Sequence, residues 1–473
     1  MRIAVTGIGM VTPLGGDRET SWRRIVAGEG ALRWLDGECG ARSAECGARW
    51  AGAPALVGEP PGSLSDLRSS TLDHRPSTGL EPVIELALRA AREAVADAGL
   101  DLATLDRDRV GCVIGTSKGS LRTFADEWSK VRSQRSAVSG QRSPAGDRRS
   151  KVGGIENRTR SAEGVRFPAW SPNAAAAAVA AEFDLRGAAL CPVAACATGL
   201  SSILRGADLI REGACDVVLA GSSDASLCAA VLASFRRMGV LARDFDDPAA
   251  ACRPFDRRRN GFLVGEGAAV LVLERADRRP GSGRWTVDSG QKRNADGGSA
   301  RSTVHCPPST GPYAELLAAG SLADLSGLTA LDPEARALTR LIGDVLRRGG
   351  VPPDEVDYVN LHGTATVAND LCETRAVHRA FGAAAGGVAC SSLKGAFGHL
   401  LGAAGSVETA CTLLAVRDGL VPPTVNLDQP GAGCDLDYTP HHARPRAIRH
   451  ALKLSLGFGG HLVAALFRRF DAD

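Results

Sequence analysis

Aromatic residues make up only 4% of the 473-residue chain, with 3 tyrosines and 3 methionines. That scarcity argues against a stacking surface for single-stranded nucleic acid, which depends on exposed rings. No stretch approaches the ~18 consecutive apolar residues of a membrane span, so membrane insertion is not expected. Neither sign of charge dominates: 56 basic residues stand against 53 acidic ones, a net +3, and no global field points to nucleic acid or anionic lipid. The 13 cysteines form no CxxC pair and no short Cys/His ligand spacing, so no metal site is expected and free thiols in a reducing cytoplasm fit best. The opening Met1-Arg2-Ile3-Ala4-Val5-Thr6-Gly7 lacks the long apolar core of a signal peptide and reads as a first strand and loop.

What is abundant is small. Glycine contributes 56 residues, alanine and valine are plentiful, and the length suffices for two or three domains with a large core. A soluble, layered enzyme is the expected class. Ile3 to Val5 reads as a buried strand and Thr12 to Gly15 as a turn; Gly7 and Gly9 give at most a weak dinucleotide-loop signal, because the third glycine is missing. Glu-Cys-Gly-Ala-Arg occurs at 38–42 and again at 45–49 in a polar context and reads as a surface insertion. A helix is expected over 81–99 with Gly99 as its C-cap, then a strand over 110–114. Residues 129–168 carry ten Lys or Arg against three Asp or Glu, with Ser and Gly throughout; they read as a low-complexity excursion, with an arm for nucleic acid or an acidic partner as the alternative. Residues 278–311 have the same polar character.

Between these insertions, the run from Gly187 to Ala195 reads as a strand that ends on Cys196, and Leu200, Ile203, Leu204, Ala207 and Ile210 recur at helical spacing after it. A thiol at a helix N-terminus meets free N–H groups and the positive end of the macrodipole, which favour a thiolate and can hold an oxyanion. A buried structural cysteine fits that position equally well. Further strands are expected at 216–220 and 268–273, the latter after a glycine-dense block from Arg253 to Gly267. The C-terminal part repeats this plan, with a helix over 335–350, a strand over 356–361 ending at His362-Gly363-Thr364, and a strand over 389–393 before a helix at 401–416. Two duplicated βα-rich halves packed together are therefore expected, 1–277 carrying the cysteine and 312–473 carrying the histidines. In a layered α/β fold strand ends collect at one edge, where Cys196, His362 and His399 would meet. The remaining histidines read as surface or satisfied residues.

The motifs that carry a resemblance are Ala195-Cys196-Ala197-Thr198-Gly199, the 253–267 block, His362 to Thr366 with Asn369, Asp370 and Glu373, Lys394 to Glu408, and Gly457-Phe458-Gly459-Gly460. In this order they resemble the elongating β-ketoacyl-acyl-carrier-protein synthases, decarboxylating Claisen condensing enzymes with an α/β thiolase-like fold. The resemblance implies two βαβαβαββ halves in an α-β-α-β-α arrangement. It implies a catalytic set of Cys196, His362, His399 and Lys394, an oxyanion hole from the backbone N–H groups of Cys196 and Phe458, and Phe458 as a gate. Glu408, Asp370 and Glu373 would support the site, while Thr364, Thr366, Phe235 and Gly459 would contact substrate. No cofactor is implied beyond the phosphopantetheine of an acyl-carrier protein, the expected partner of a cytoplasmic homodimer.

The chain departs from the family at Leu454-Ser455-Leu456, where Asn-Ser-Phe is usual, and at His461-Leu462. Pro192 removes a ladder hydrogen bond before the cysteine and predicts an edge or irregular position. Two rivals remain at this point: a non-catalytic partner subunit that shapes chain length, and a cysteine hydrolase.

Overall fold

The computed structural model describes residues 1–33, 80–121, 171–277 and 311–470. The repeat at 38–49, the 129–168 insertion and nearly all of 278–311 lie outside them. Along the N-terminal half run β1 (Ile3–Val11), α1 (Arg18–Val26), α2 (Pro82–Asp97), β2 (Val110–Gly115), α3 (Ala174–Glu182), β3 (Ala189–Leu190), α4 (Thr198–Arg211), β4 (Val217–Asp224), α5 (Ala229–Arg237) and β5 (Gly267–Arg275). The C-terminal half continues with β6 (Ala314–Ala323), α6 (Arg336–Gly349), β7 (Tyr358–Asn360), α7 (Val367–Phe381), β8 (Ala389–Ser391), α8 (Lys394–Phe397) and α9 (Ala404–Asp418). A small hairpin of β9 (Leu420–Val421) and β10 (Arg444–Pro445) precedes β11 (His450–Gly457) and β12 (His461–Arg469).

Ten strands form one sheet in the order β3-β2-β4-β5-β1-β6-β12-β11-β7-β8. Read outward from its centre, each half has the same sequence of strands: β1-β5-β4-β2-β3 on one side, β6-β12-β11-β7-β8 on the other. The pairing senses match as well. The two innermost contacts of each half are antiparallel and the two outermost parallel. The halves join where Ala4 pairs with Glu315 and Val5 with Ala314. Helices α4 and α9 pack on each other and on strands of both halves, α2 and α3 cover the outer face of one, and α6 covers the outer face of the other with α7 packed on it. Three apolar clusters fill the spaces between these layers. The fold is thus thiolase-like, α-β-α-β-α, with the expected duplication.

Two local expectations need correction. β1 runs to Val11, through the glycines read as a loop. Helix α2 lies so close that a Cβ on Gly9 would sit 1.8 Å from the Ala90 carbonyl oxygen, and one on Gly7 2.3 Å from that of Ala94. These glycines serve helix–strand packing, not phosphate binding. The strand before Cys196 is only Ala189–Leu190 and lies at the sheet edge. The ladder ends at Leu190, two residues before Pro192, whose missing N–H could not have continued it.

Candidate active site

Cys196 lies in a single 3₁₀ turn, Ala195–Ala197, that opens α4. Ala195, just before it, holds a left-handed φ of 47°. Such backbone is costly without glycine and persists only where neighbours fix it. Here Thr198 does so: its hydroxyl accepts from Ala194 N at 2.8 Å and donates to the Ala195 carbonyl at 2.7 Å. From the opposite half, Gly457 presses on the same turn. A Cβ there would lie 2.6 Å from the Ala194 oxygen and 3.2 Å from Cys196 N. The next residue, Phe458, is half-buried and packs on the apolar cluster that contains Cys196, Phe235, Phe262, Val264, Ala365 and Leu401.

The thiol is buried, and burial pushes it up to about 11, with Lys118 and Lys394 pulling the other way. This corrects the thiolate expected from the helix N-terminus: desolvation outweighs the nearby cations. Cys196 waits as a neutral thiol. The ten cysteines among the described residues are all unpaired.

His362 follows β7. The Glu373 carboxylate on α7 receives His362 N and Gly363 N, each at 2.6 Å, and so clamps the turn that aims the imidazole. Asp370, one turn earlier on α7, accepts Phe255 N at 2.8 Å and lies 3.4 Å from Arg259, tying the 253–267 block to the same helix. Burial holds Glu373 up to about 7 and Asp370 up to about 6. Thr364 and Thr366 bond to each other at 2.9 Å beside Ala365.

His399 follows α8. Its backbone N donates to the Leu263 carbonyl at 2.7 Å and its carbonyl accepts Gly265 N at 2.9 Å, which ties His399 to the 253–267 block. The His362 and His399 rings meet edge to face with centroids 5.2 Å apart, and Phe262 closes on His399 at 4.9 Å. His399 Nδ1 is buried without a hydrogen-bond partner. Burial first, and then Lys394, hold both imidazoles well below their ordinary value, so both are neutral at pH 7.

Lys394, fully buried, lies 2.5 Å from Glu408 Oε1 and 3.3 Å from His362 Nδ1, and it also donates to the His362 carbonyl. An ammonium has only donors, so His362 Nδ1 is the acceptor and its proton sits on Nε2. Phe235 lies on α5, edge-on to Phe262 at 5.7 Å, with the Lys118 ammonium 5.8 Å from its ring centroid. Gly459 adopts φ 89° and donates to the Leu328 carbonyl at 2.7 Å, while a Cβ on Gly460 would lie 2.0 Å from the Asp324 oxygen. Leu454, Leu456 and Leu462 are buried in the apolar cluster of the C-terminal half, and His461 is exposed.

The structure therefore brings the cysteine, both histidines, Lys394, Glu408 and the Phe458 loop to one buried centre. Sequence reading missed Lys118, which faces Cys196 and His399 electrostatically, and Lys453, whose ammonium lies 2.7 Å from Glu408 Oε2. The signal for Lys453 was present: one charge in the apolar strand Ala451-Leu452-Lys453-Leu454. Lys118 sits in a polar loop where a lysine attracts no notice.

Residues 1–279 match the family described as "Beta-ketoacyl synthase, N-terminal domain", and 313–428 match "Beta-ketoacyl synthase, C-terminal domain". A relative from Coxiella burnetii named 3-oxoacyl-[acyl-carrier-protein] synthase 2 is 32% identical, with 99% of each chain covered. One of the same name from Synechocystis is 30% identical over 99% of this chain and 98% of its own. Among solved structures, a ketosynthase bound to a hexaketide, in complex with its type II polyketide acyl-carrier protein, is similar with a TM-score of 0.78 at 26% identity, covering 99% of both chains. A β-ketoacyl synthase from Burkholderia phymatum is similar with a TM-score of 0.73 at 26% identity, covering 99% of this chain and 100% of its own.

Proposed function

The chain belongs to the β-ketoacyl synthase family, and from that premise we propose that it is an acyltransferase joining an acyl thioester to malonyl-acyl-carrier protein by decarboxylative Claisen condensation. Cys196 Sγ attacks the acyl carbonyl, the bond to the carrier's phosphopantetheine sulfur breaks, and that sulfur leaves with the thiol proton. The acyl chain stays on Cys196, beside Phe235. Malonyl-carrier thioester enters along Thr364 and Thr366. Its carboxylate leaves as carbon dioxide, and the released electron pair forms an enolate whose oxygen takes N–H bonds from His362 and His399. Neutral imidazoles suit that role, because they donate without first giving up a proton. The enolate carbon then attacks the acyl-Cys196 carbonyl. The backbone N–H groups of Cys196 and Phe458 hold the oxyanion, each such donor contributing roughly 3 kcal/mol. Collapse expels Cys196 as a thiolate with the elongated 3-oxoacyl-carrier thioester, and the thiolate takes up one proton from water to return to the neutral thiol.

The observation that carries this reading is the buried chain Glu408–Lys394–His362, which fixes the proton of His362 on Nε2. A hydrolase would need a water held at Cys196, whereas among the described residues the cluster packed on the thiol is apolar. A non-catalytic partner subunit would not need the thiol, both imidazoles and Lys394 together. The related proteins support an acyl-carrier protein as partner. A homodimer and a cytoplasmic setting belong to the same proposal, as does a role in fatty-acid elongation or a polyketide-type pathway. Among the described residues no helix is long and apolar enough to cross a membrane.

The test supplies acyl- and malonyl-carrier thioesters and follows product mass. Wild type is expected to give the 3-oxoacyl-carrier product and a transient acyl-protein adduct, both lost in Cys196→Ala. Equal condensation by Cys196→Ala sinks the mechanism.

A further inference from the structure

Lys453 is a fully buried lysine in the interior strand β11, between β12 and β7, where it pairs with Ala465 and Asn360. Its ammonium donates to Glu408 Oε2 at 2.7 Å and to the Leu454 carbonyl at 2.5 Å. Glu408 Oε1 already has Lys394 at 2.5 Å. One carboxylate thus lies between two buried ammonium groups. A strand covered on both faces ordinarily takes apolar residues, and its neighbours Leu452 and Leu454 conform. Glu408 does not need a second cation for neutrality, and a buried charge is expensive unless matched.

The charged and titratable groups around Lys453 are Glu408 and Cys411 on α9, Lys394 on α8, Glu373 on α7, and the imidazoles of His362 and His399, the latter also facing Lys118; burial pulls Lys453 itself below its ordinary value, with Glu408 opposing that. Glu373, held up to about 7 by burial, is only partly ionised near neutrality and offsets part of the excess. The cluster beneath the imidazoles is therefore net positive.

Resting on the condensing-enzyme reading, we propose that Lys453 is a second positioning cation of this site, holding Glu408 through the oxygen that Lys394 leaves free and so keeping Lys394 on His362 Nδ1. Its charge works with that of Lys394 against protonation of His362 and His399, which serve as neutral N–H donors to the enolate oxygen. Lys453 lies outside the substrate path and acts through Glu408 and through its field. Five residues after it on the same chain comes Phe458, so the strand that delivers the oxyanion donor is anchored to the carboxylate that aligns Lys394.

The test compares wild type with Lys453→Gln, which keeps a hydrogen-bond donor and removes the charge, and with Lys453→Met, which removes both. The imidazole resonances of His362 and His399 are followed by NMR across pH, with the pH profile of malonyl-carrier decarboxylation alongside. In Lys453→Gln both imidazoles are expected to protonate about one pH unit higher, and the acid limb of kcat to move with them while KM changes little. Unchanged imidazole titration, or an activity loss uniform across pH, overturns the proposal. A shift in Lys453→Met alone overturns the role of charge, and failure of both variants to fold assigns Lys453 to stability only. Absence of any condensed product from wild type would sink the catalytic reading instead, with the NMR titration still reporting on Lys453.

Discussion

At His362 and His399 the same burial that suits catalysis has a measurable cost in stability. Their protonation in the folded chain is held well below the ordinary 6.5. Above that value both states are neutral and nothing is lost; as pH falls through it, the unfolded chain takes up protons that the folded one refuses. Folding therefore weakens toward acid by about 1.4 kcal/mol per pH unit for each imidazole. Glu373 and Asp370 work in the opposite direction, since acid favours carboxyls whose folded values are raised. A difference measurement separates the two. Between about pH 7.5 and 5.5 the urea stability of His362→Asn/His399→Asn should gain about 2–3 kcal/mol relative to wild type, and parallel curves would contradict neutral, buried imidazoles. Both histidines were legible in the sequence because glycine flanks each, although only His362 directly follows a strand and His399 follows the short helix α8. The ionisation of Cys196 was not, because desolvation depends on residues as distant in sequence as Phe262 and Leu401.

The elements that meet at Cys196 do so through missing side chains. Gly199 at the start of α4 and Gly405 at the start of α9 face each other: a Cβ on the first would lie 2.3 Å from Ser406 N, and one on the second 2.5 Å from Leu200 N. The end of β11 reaches the nucleophile turn in the same way at Gly457. Gly457→Ala is expected to push that strand end off the turn, cutting the condensation rate on the order of 10- to 100-fold while costing about 1–3 kcal/mol in urea stability. Wild-type turnover in that variant would remove the turn–strand contact from the account of catalysis. Helices such as α2 and α6 were readable from their apolar spacing, and Gly99 and Gly350, both with left-handed φ, follow their ends. The extension of β1 through Gly7 and Gly9 was not readable, because only the neighbouring helix explains it.

Taken whole, the molecule is two copies of one plan sharing a central layer. The shared apolar cluster draws Ile203 and Val218 from one half and Val407 and Ala465 from the other. Neither half buries that layer alone, so residues 1–277 and 312–473 expressed separately should each fail to fold. The full chain should lose near- and far-UV circular dichroism in one coincident urea transition; two separated transitions would show independent halves. The duplication was visible in the order of strands, helices and glycine-flanked stations, whereas the sheet order was not, since pairing joins residues as distant as Ala4 and Glu315. β12 enters the sheet between β6 and β11, two strands that precede it in sequence. On a translating ribosome β6 therefore waits with an open edge, and the cysteine turn is made long before the strand that seals the neighbouring half. The nascent chain carries Cys196 without the Phe458 loop, exposed to aggregation and to the chaperones that guard unpaired edges; on the proposed mechanism it becomes reactive only when its late strand slides into the gap.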